Sequence, residues 1–494
     1  MSNTSAKSIT LPALTPVASV QYLPSAWYSV QADRDLDATA YLCDSKSSTG
    51  STQPPSYHEW FSKVDLMSTA EIEHELSQSP LSDVDFKSML STLSEECITK
   101  LKRWTVKRKP TFSDGTFVPT EPIHNTTMRI QTTVPDPSLR SYPYRMSPVD
   151  CEHVRSQINE WKKSGVIQDS VSPWSSNVVL VRHPDKKPRV AIDYRKLNSH
   201  TVKDAYMLPR VDHVFDVLNG ARFISATDCH SAFLQIPIAD ARSRELTAFV
   251  APDGGLYEFL RCPFGLVNAP SVWQRLIDNV MADYKWKFAL TYVDDICIFT
   301  KSDNIDDHIR DLDLVFDRLD MHGLCVKASK TFLARQELPF LGHLIGVDGI
   351  KPDPRKLAAI TEMPLPTSLK QLRSSLGTFS YYRKFVKNFS KMASPLQALM
   401  KKDQSSKRCV GNKIEYTPDQ TNAFQALKEA LTSEPVCLSH PDWSLPFEVH
   451  TDASKQGLGA VLCQKTEQGE KVVMYASRST TDLESTAYSQ YELE

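Results

Sequence analysis

Two adjacent carboxylates, Asp294 and Asp295, stand between the apolar runs 288–290 and 296–299. Neighbouring carboxylates repel, and each is pushed towards its protonated form. Divalent cations remove that conflict, and a metal-bound Asp pair at a hairpin tip is suited to phosphoryl transfer. Standing alone, the pair reads first as a solvated Asp-Asp turn. It does not stand alone. Asp228 closes another short apolar run, Phe223 to Thr227, and the stretch Lys186-Lys187-Pro188-Arg189 offers cations for a triphosphate. By composition that basic stretch reads equally as a solvated hairpin loop. Two-metal nucleotidyl transfer needs at least two carboxylates able to bridge cations about 3.5–4 Å apart, and only tertiary folding could bring Asp228 to Asp294.

The elements that must position these groups have clear signals. The flanks of Asp294-Asp295 are short, aromatic and β-branched, which predicts two strands meeting at a tight hairpin. Upstream, Ser147-Pro148-Val149-Asp150 supplies an N-cap, an N1 proline and an acidic N3 residue; Val154, Ile158 and Trp161 follow at helical spacing, and Gly165 closes the helix. Strands are expected over 177–181 and 189–193, a helix opening at Pro270 with Val272, Leu276, Ile277 and Val280 inward, and another over 306–321. Mixed strands and helices with function at strand ends imply an α+β domain.

The chain has 494 residues, 41% hydrophobic and 23% charged, enough for about three domains with sizeable cores. No apolar run approaches the ~18 residues of a membrane span, and no signal-peptide pattern opens the chain. Ten cysteines lie scattered without CxxC pairs, which implies reduced thiols and an intracellular setting. The net charge of −2 conceals a block from Lys351 to Lys413 with 14 Lys/Arg against 3 Asp/Glu. Within it Leu369, Leu372, Leu376, Phe379, Tyr382, Val386 and Phe389 repeat at helical spacing among Lys370, Arg373, Arg383, Lys384 and Lys387. That is a helical unit with an apolar inner face and a cationic outer one, a footprint for a polyanion. Residues 1 to about 66 are Ser-, Thr- and Pro-rich and are expected to be largely disordered or peripheral. Residues 68–104 look helical, with a break at Ser79-Pro80, and run into a basic cluster from Lys100 to Lys109 whose role is not legible.

Five ordered motifs then bear a resemblance: Arg189 to Asn198 (RVAIDYRKLN), Thr227 to Phe233 (TDCHSAF), Pro263 to Pro270 (PFGLVNAP), Tyr292 to Asp295 (YVDD) and Phe340 to His343 (FLGH). From about Tyr142 onwards the chain resembles the Pol polyprotein of gypsy-type LTR retrotransposons, in its reverse transcriptase and the start of its ribonuclease H. The resemblance implies an α+β right-hand polymerase of fingers, palm and thumb, followed by a connection and a truncated ribonuclease H-like α/β fold. The boundaries expected are an N-terminal extension over 1–110, fingers and palm over 111–345, thumb and connection over 346–415, and connection with the ribonuclease H remnant over 416–494. It implies an RNA-directed DNA polymerase using two Mg²⁺ or Mn²⁺ ions, dNTPs and a primed RNA or DNA template. The expected setting is cytoplasmic or a virus-like particle, with dimerisation or other Pol and Gag components as partners and no membrane.

Carried over residue by residue, the resemblance makes Asp228 and Asp294 the principal metal ligands, with Asp295 completing the set and the Cys229 carbonyl joining the metal. Arg189 matches the arginine that holds the incoming triphosphate, with Lys187 nearby. Phe233 matches the aromatic gate against a ribose 2′-hydroxyl, though a core aromatic would look the same. Phe264 stands where retroviral relatives carry Gln, so that residue's hydrogen bonding does not transfer. Lys330 resembles the lysine proposed to protonate pyrophosphate; a surface lysine is the alternative. Phe340 to His343 resembles the primer-grip hairpin.

Phe447 to Ser454 looks like the first ribonuclease H strand, with Asp452 as its first catalytic carboxylate, and Tyr491 to Glu494 like the start of the helix bearing the second, Glu494. The further family carboxylates are absent, so no ribonuclease H activity and an exposed sheet face are expected. Ser113-Asp114-Gly115 reads as a turn rather than a protease triplet. The rival readings are a catalytically inert nucleic-acid-binding remnant and, from another polymerase class, a group II intron-like or telomerase-like enzyme.

Overall fold

A computed structural model describes residues 8–11, 55–78, 80–86, 89, 93–113, 124–134, 140–183, 186–402, 414–432, 437–454 and 457–488. Two units emerge, one formed by Ser51–Leu338 and the other by Met1–Gly50 with Pro339–Glu494. Among the described residues no helix is long and apolar enough to cross a membrane.

The 51–338 unit is built on two sheets. The first is antiparallel, in the order Phe332–Arg335, Phe223–Asp228, Asp295–Thr300, Ala289–Tyr292. Its central strands are largely apolar, with Ile224, Ile296, Cys297, Ile298 and Phe299 all buried, because helices cover them. The second has five strands, in the order Ile167–Asp169, Leu256–Phe259, Phe249–Val250, Ser176–His183, Lys186–Asp193. Its last two strands form the expected antiparallel pair, with Val181 opposite Arg189.

The helix Pro148–Lys163 begins as its sequence requires, with the Ser147 hydroxyl accepting from the Asp150 amide. Gly165 follows at φ +70°, the left-handed turn that ends the helix. The helix Ala269–Val280 buries Val272, Trp273, Gln274, Leu276, Ile277 and Val280.

The helix Ile305–Met321 braces the first sheet from behind through His308, which is wholly buried. The Ala334 amide donates to Ser225 Oγ (2.8 Å), which also hydrogen bonds with His308 Nε2 (2.7 Å). Thr300 donates to Asp311 (2.6 Å) and so accepts from His308 Nδ1–H (2.8 Å). Burial pushes the pKa of the imidazole down to about 3, which keeps it neutral at pH 7.

The basic cluster after residue 100 is absorbed by packing. Arg108 is buried and pairs with Asp313, Asp317 and Asp320 on the helix Ile305–Met321. Lys102 meets Glu73 at 2.5 Å, Lys100 meets Asp306 at 2.9 Å, and Lys109 meets Glu75 at 2.6 Å. Arg103 donates to the carbonyls of Val64 and Met67. These charges serve internal pairing, which the one-dimensional pattern could not reveal because their partners lie as many as 209 residues away.

In the other unit, strands Phe447–Ser454, Gly457–Thr466 and Gly469–Ser479 form an antiparallel meander, with Ser8–Leu11 paired to the outer edge of the first. The basic block forms helices Pro354–Thr361, Leu369–Tyr381 and Phe389–Lys402. Leu372, Leu376, Phe379, Tyr382, Val386 and Phe389 are buried as expected, whereas Lys370, Arg373 and Lys387 are exposed. Ser390 and Arg383 both hydrogen bond to Ser477 of the last strand, so the preceding helices help cover a sheet that was expected to be bare.

His308→Ala is expected to destabilise the chain by about 2–4 kcal/mol at pH 7, from lost hydrogen bonds and a cavity. Because the folded pKa lies below the unfolded value near 6.5, wild-type stability from this residue is lost as pH falls from there towards 3. The gap between variant and wild type in urea unfolding should therefore narrow at pH 4.5; a constant gap would show that His308 does not titrate on unfolding.

Candidate active site

Asp228 is the last residue of its strand, and antiparallel register sets it directly opposite Asp295. Asp295 in turn pairs with Tyr292, leaving Val293 and Asp294 as a two-residue turn. Val293 carries the turn's unusual backbone, at φ +50°. A β-branched residue disfavours that conformation, so surrounding contacts must impose it. They do so with two bonds from one helix: the Val293 amide donates to Gln274 Oε1 (2.7 Å), and Trp273 Nε1 donates to the Val293 carbonyl (2.7 Å). Gln274 is fully buried, and its amide nitrogen donates to Asp278 (2.8 Å). Asp278 also accepts from Thr291 Oγ1, Tyr206 Oη and Lys285 Nζ; against burial, Lys285, Tyr206 and Gln274 hold its carboxyl below the usual range.

The turn is also tied to the first carboxylate. The Cys229 amide donates to the Asp294 carbonyl (2.9 Å), so Asp228 and Asp294 are held on adjoining backbone. Burial, followed by the Asp228 charge, pushes the carboxyls of Asp294 and Asp295 up to about 6 each. Lys330 answers part of the charge, its ammonium lying 2.7 Å from Asp228 Oδ2. Asp294 Oδ1 is buried with no hydrogen-bond partner. Among the described residues the three carboxylates do not bring one oxygen each within 4.8 Å of one another. An all-oxygen, mutually repelling donor set with a buried orphan oxygen fits hard divalent cations.

A second group forms around Phe264. Its exposed ring lies with its centroid 5.1 Å from that of Phe233, and the Arg189 guanidinium lies 6.0 Å from the Phe264 centroid. Phe233 is buried, yet sits in a 3₁₀ turn launched by Ser231 at φ +49° immediately beyond Asp228-Cys229-His230. Lys187 is exposed on the same strand as Arg189. Gly265 at φ +96° permits the turn that presents Phe264. Asn198 clamps that turn, donating to the Gly265 carbonyl (2.8 Å) and accepting from the Val267 amide (2.9 Å).

Asn198, Trp273 and Gln274 were not singled out from the sequence. A signal existed for Gln274: a lone amide on the apolar face of an otherwise amphipathic helix must have a buried partner.

Strands Glu337–Phe340 and His343–Gly346 join through Leu341 (φ +48°) and Gly342 (φ +72°). Tyr381 and Tyr382 donate to the carbonyls of these two residues at 2.6 and 2.8 Å. Asp452 is exposed in the strand Phe447–Ser454. Glu494, Asp114 and Gly115 lie outside the described residues.

Residues 181–345 match the family described as reverse transcriptase (RNA-dependent DNA polymerase), and residues 416–494 match the RNase H-like domain found in reverse transcriptase. The retrovirus-related Pol polyprotein from transposon gypsy of Drosophila melanogaster is 36% identical over 396 residues, covering 77% of this chain and 37% of that protein. The corresponding protein from transposon opus is 37% identical over 365 residues, covering 72% and 36%. Over 72–77% of its length the chain is homologous to these gypsy-type Pol polyproteins, with a reverse transcriptase region followed by an RNase H-like one. It spans little more than a third of the length of these relatives. Among solved structures, the foamy viral protease-reverse transcriptase in complex with RNA/DNA hybrid superposes with a TM-score of 0.70 at 24% identity, covering 86% of this chain and 54% of that one. Its form in complex with double-stranded DNA gives 0.71 at the same identity, covering 86% and 83%. The right-hand polymerase fold is thus that of the family, and within it Asp228, Asp294 and Asp295 converge on one strand end and its neighbouring turn.

Without divalent metal, Asp294→Asn is expected to stabilise the chain by about 1–2 kcal/mol at pH 8, or roughly 2–5 °C in melting temperature. A carboxyl whose folded pKa is raised loses stability as pH climbs from its unfolded value near 4 through about 6. The stabilisation should disappear near pH 4, and Mg²⁺ should shrink it at pH 8. Thermal melts in EDTA at the two pH values decide this; equal melting at pH 8 would exclude repulsion as the dominant local term.

Proposed function

We propose that this chain is an RNA-directed DNA polymerase that extends a primer with dNTPs on an RNA or DNA template. The observation that carries the proposal is the convergence of Asp228, Asp294 and Asp295, with Asp294 Oδ1 buried and unsatisfied. Asp228 and Asp294 would hold two Mg²⁺ or Mn²⁺ ions, with Asp295 and the Cys229 carbonyl supporting them. Bound there, the ions supply a lowered pKa for the primer 3′-hydroxyl and neutralise charge on the triphosphate.

The chain's own groups do the rest. Arg189, with Lys187 beside it, binds the triphosphate of the incoming nucleotide, and its position against the Phe264 ring limits the directions its guanidinium can take. Phe233, fixed by Phe264 on one side, closes the space that a ribose 2′-hydroxyl needs. Lys330 neutralises Asp228 before the ions arrive; once released from it, the ammonium is free to donate a proton to the departing pyrophosphate. Exposed Lys370, Arg373 and Lys387 would bind duplex phosphates, and the Leu341-Gly342 turn would contact the primer backbone. Template choice is left to base pairing.

Asp294→Asn should lower dNTP incorporation on a primed RNA template by at least about 10³-fold, the scale of removing a preorganised charge at a reaction centre. Template binding should survive, as measured by fluorescence anisotropy. A folded, template-binding wild type that incorporates nothing would instead favour an inert nucleic-acid-binding remnant.

Phe233→Ala should leave dNTP use within about tenfold while raising the relative efficiency for ribonucleotides by roughly 10²-fold or more. Single-nucleotide incorporation with paired dNTP and rNTP reads the ratio. An unchanged ratio would assign Phe233 to the core alone.

A further inference from the structure

Three consecutive strands of the 416–494 region bring a different set of ligands together. His450 lies on Phe447–Ser454, Cys463 on Gly457–Thr466 and Glu470 on Gly469–Ser479. Register places Cys463 opposite Glu448 and Lys465 opposite Glu470. Strand alternation then puts His450, two residues from Glu448, on the same face as Cys463 and Glu470. The pairing of the second and third strands slips between Leu462 and Cys463, so the sheet is irregular at the thiol itself. Such bulges re-aim side chains beside functional sites.

The consequence is a compact N, S, O cluster. One ligand atom from each of His450, Cys463 and Glu470 lies within 4.8 Å of the other two. His450 Nε2 is 2.6 Å from Glu470 Oε1. In a tetrahedral zinc site with bonds of about 2.0–2.3 Å, ligand atoms sit roughly 3.3–3.8 Å apart, so small rotamer adjustments reach it. Cys463 is buried, while His450 and Glu470 are half-exposed and leave a path from solvent. Glu448, buried opposite Cys463 and held by Lys465 at 2.7 Å, adds negative charge beside the cluster.

We propose that His450, Cys463 and Glu470 form a site for one borderline-soft divalent cation of the zinc class, with water at the fourth position. Imidazole, thiolate and carboxylate together favour Zn²⁺ over Mg²⁺ or Ca²⁺, which prefer all-oxygen ligands. Binding displaces the Cys463 thiol proton to solvent, shifts the His450 ring proton from Nε2 to Nδ1 by exchange with solvent, and replaces the His450–Glu470 hydrogen bond with two metal bonds. The ion would staple three strands and stiffen the one that carries Asp452, two residues beyond His450. This site is separate from the oxygen-only carboxylates of the polymerase centre and does not depend on that centre being active.

The test is a Co²⁺ titration of the reduced full chain in excess Mg²⁺, followed by displacement with Zn²⁺. One equivalent of Co²⁺ should give a thiolate-to-metal charge-transfer band that Zn²⁺ abolishes. Cys463→Ser should remove the band, and His450→Ala should weaken Co²⁺ binding by about tenfold or more. Cys437→Ser, the control for the other thiols, should change neither. Should Cys463→Ser fail to fold, the half-exposed His450 variant and Glu470→Gln carry the same comparison. Absence of the band, a band that survives Cys463→Ser, or unaltered affinity in both His450→Ala and Glu470→Gln would overturn the proposal and leave a hydrogen-bonded triad only.

Discussion

Like charge forced into partial burial is the constraint around which the 51–338 unit is arranged. Asp294 and Asp295 are held beside Asp228 by backbone pairing, and both carboxyls are driven up to about 6. Left to itself such a cluster would splay or protonate. The structure prevents splaying by locking the turn from beneath. Gln274 and Trp273 grip both polar groups of the Val293 peptide and keep a valine in a left-handed conformation that it would otherwise leave.

Support for that turn extends through the unit. Gln274 is oriented by Asp278, which is itself satisfied by Thr291, Tyr206 and Lys285. Behind the sheet, His308 links Ser225, on the strand that ends in Asp228, to Thr300, on the strand that begins with Asp295. The same helix is anchored by Arg108 through Asp313, Asp317 and Asp320. Buried charge and directional hydrogen bonds are poor sources of net stability but strong sources of geometric specificity. Here they fix the angle at which two strands deliver their carboxylates.

The 416–494 region follows a different logic. Its meander bears Asp452 on an exposed part of the first strand, two residues beyond His450, which clusters with Cys463 and Glu470 on the same face. Lys330 beside Asp228 and Lys465 beside Glu448 show one device used twice, a lysine neutralising a carboxylate within a larger acidic or metal-binding group. The two lysines sit in different chemical company: three carboxylates around the first, a mixed N, S, O set near the second.

Local signals made several elements legible in the sequence. The Ser147-Pro148 cap, the apolar period after Pro270 and the alternation around 177–193 each depend on residues within a few positions, so their helices and strands could be read directly. The family resemblance of the ordered motifs marked Asp228, Asp294 and Asp295 as an expected set, with Phe233, Phe264 and Arg189 as expected companions. Tertiary structure alone decided which groups meet. The Asp228–Asp295 register, the Gln274–Val293 clamp, the Arg108–Asp313 pairing and the His450–Cys463–Glu470 cluster all join separate elements. Periodicity records which face a side chain occupies but not which distant face will oppose it, and the pKa shifts that suit the carboxylates to cations arise only from that opposition and the burial it brings.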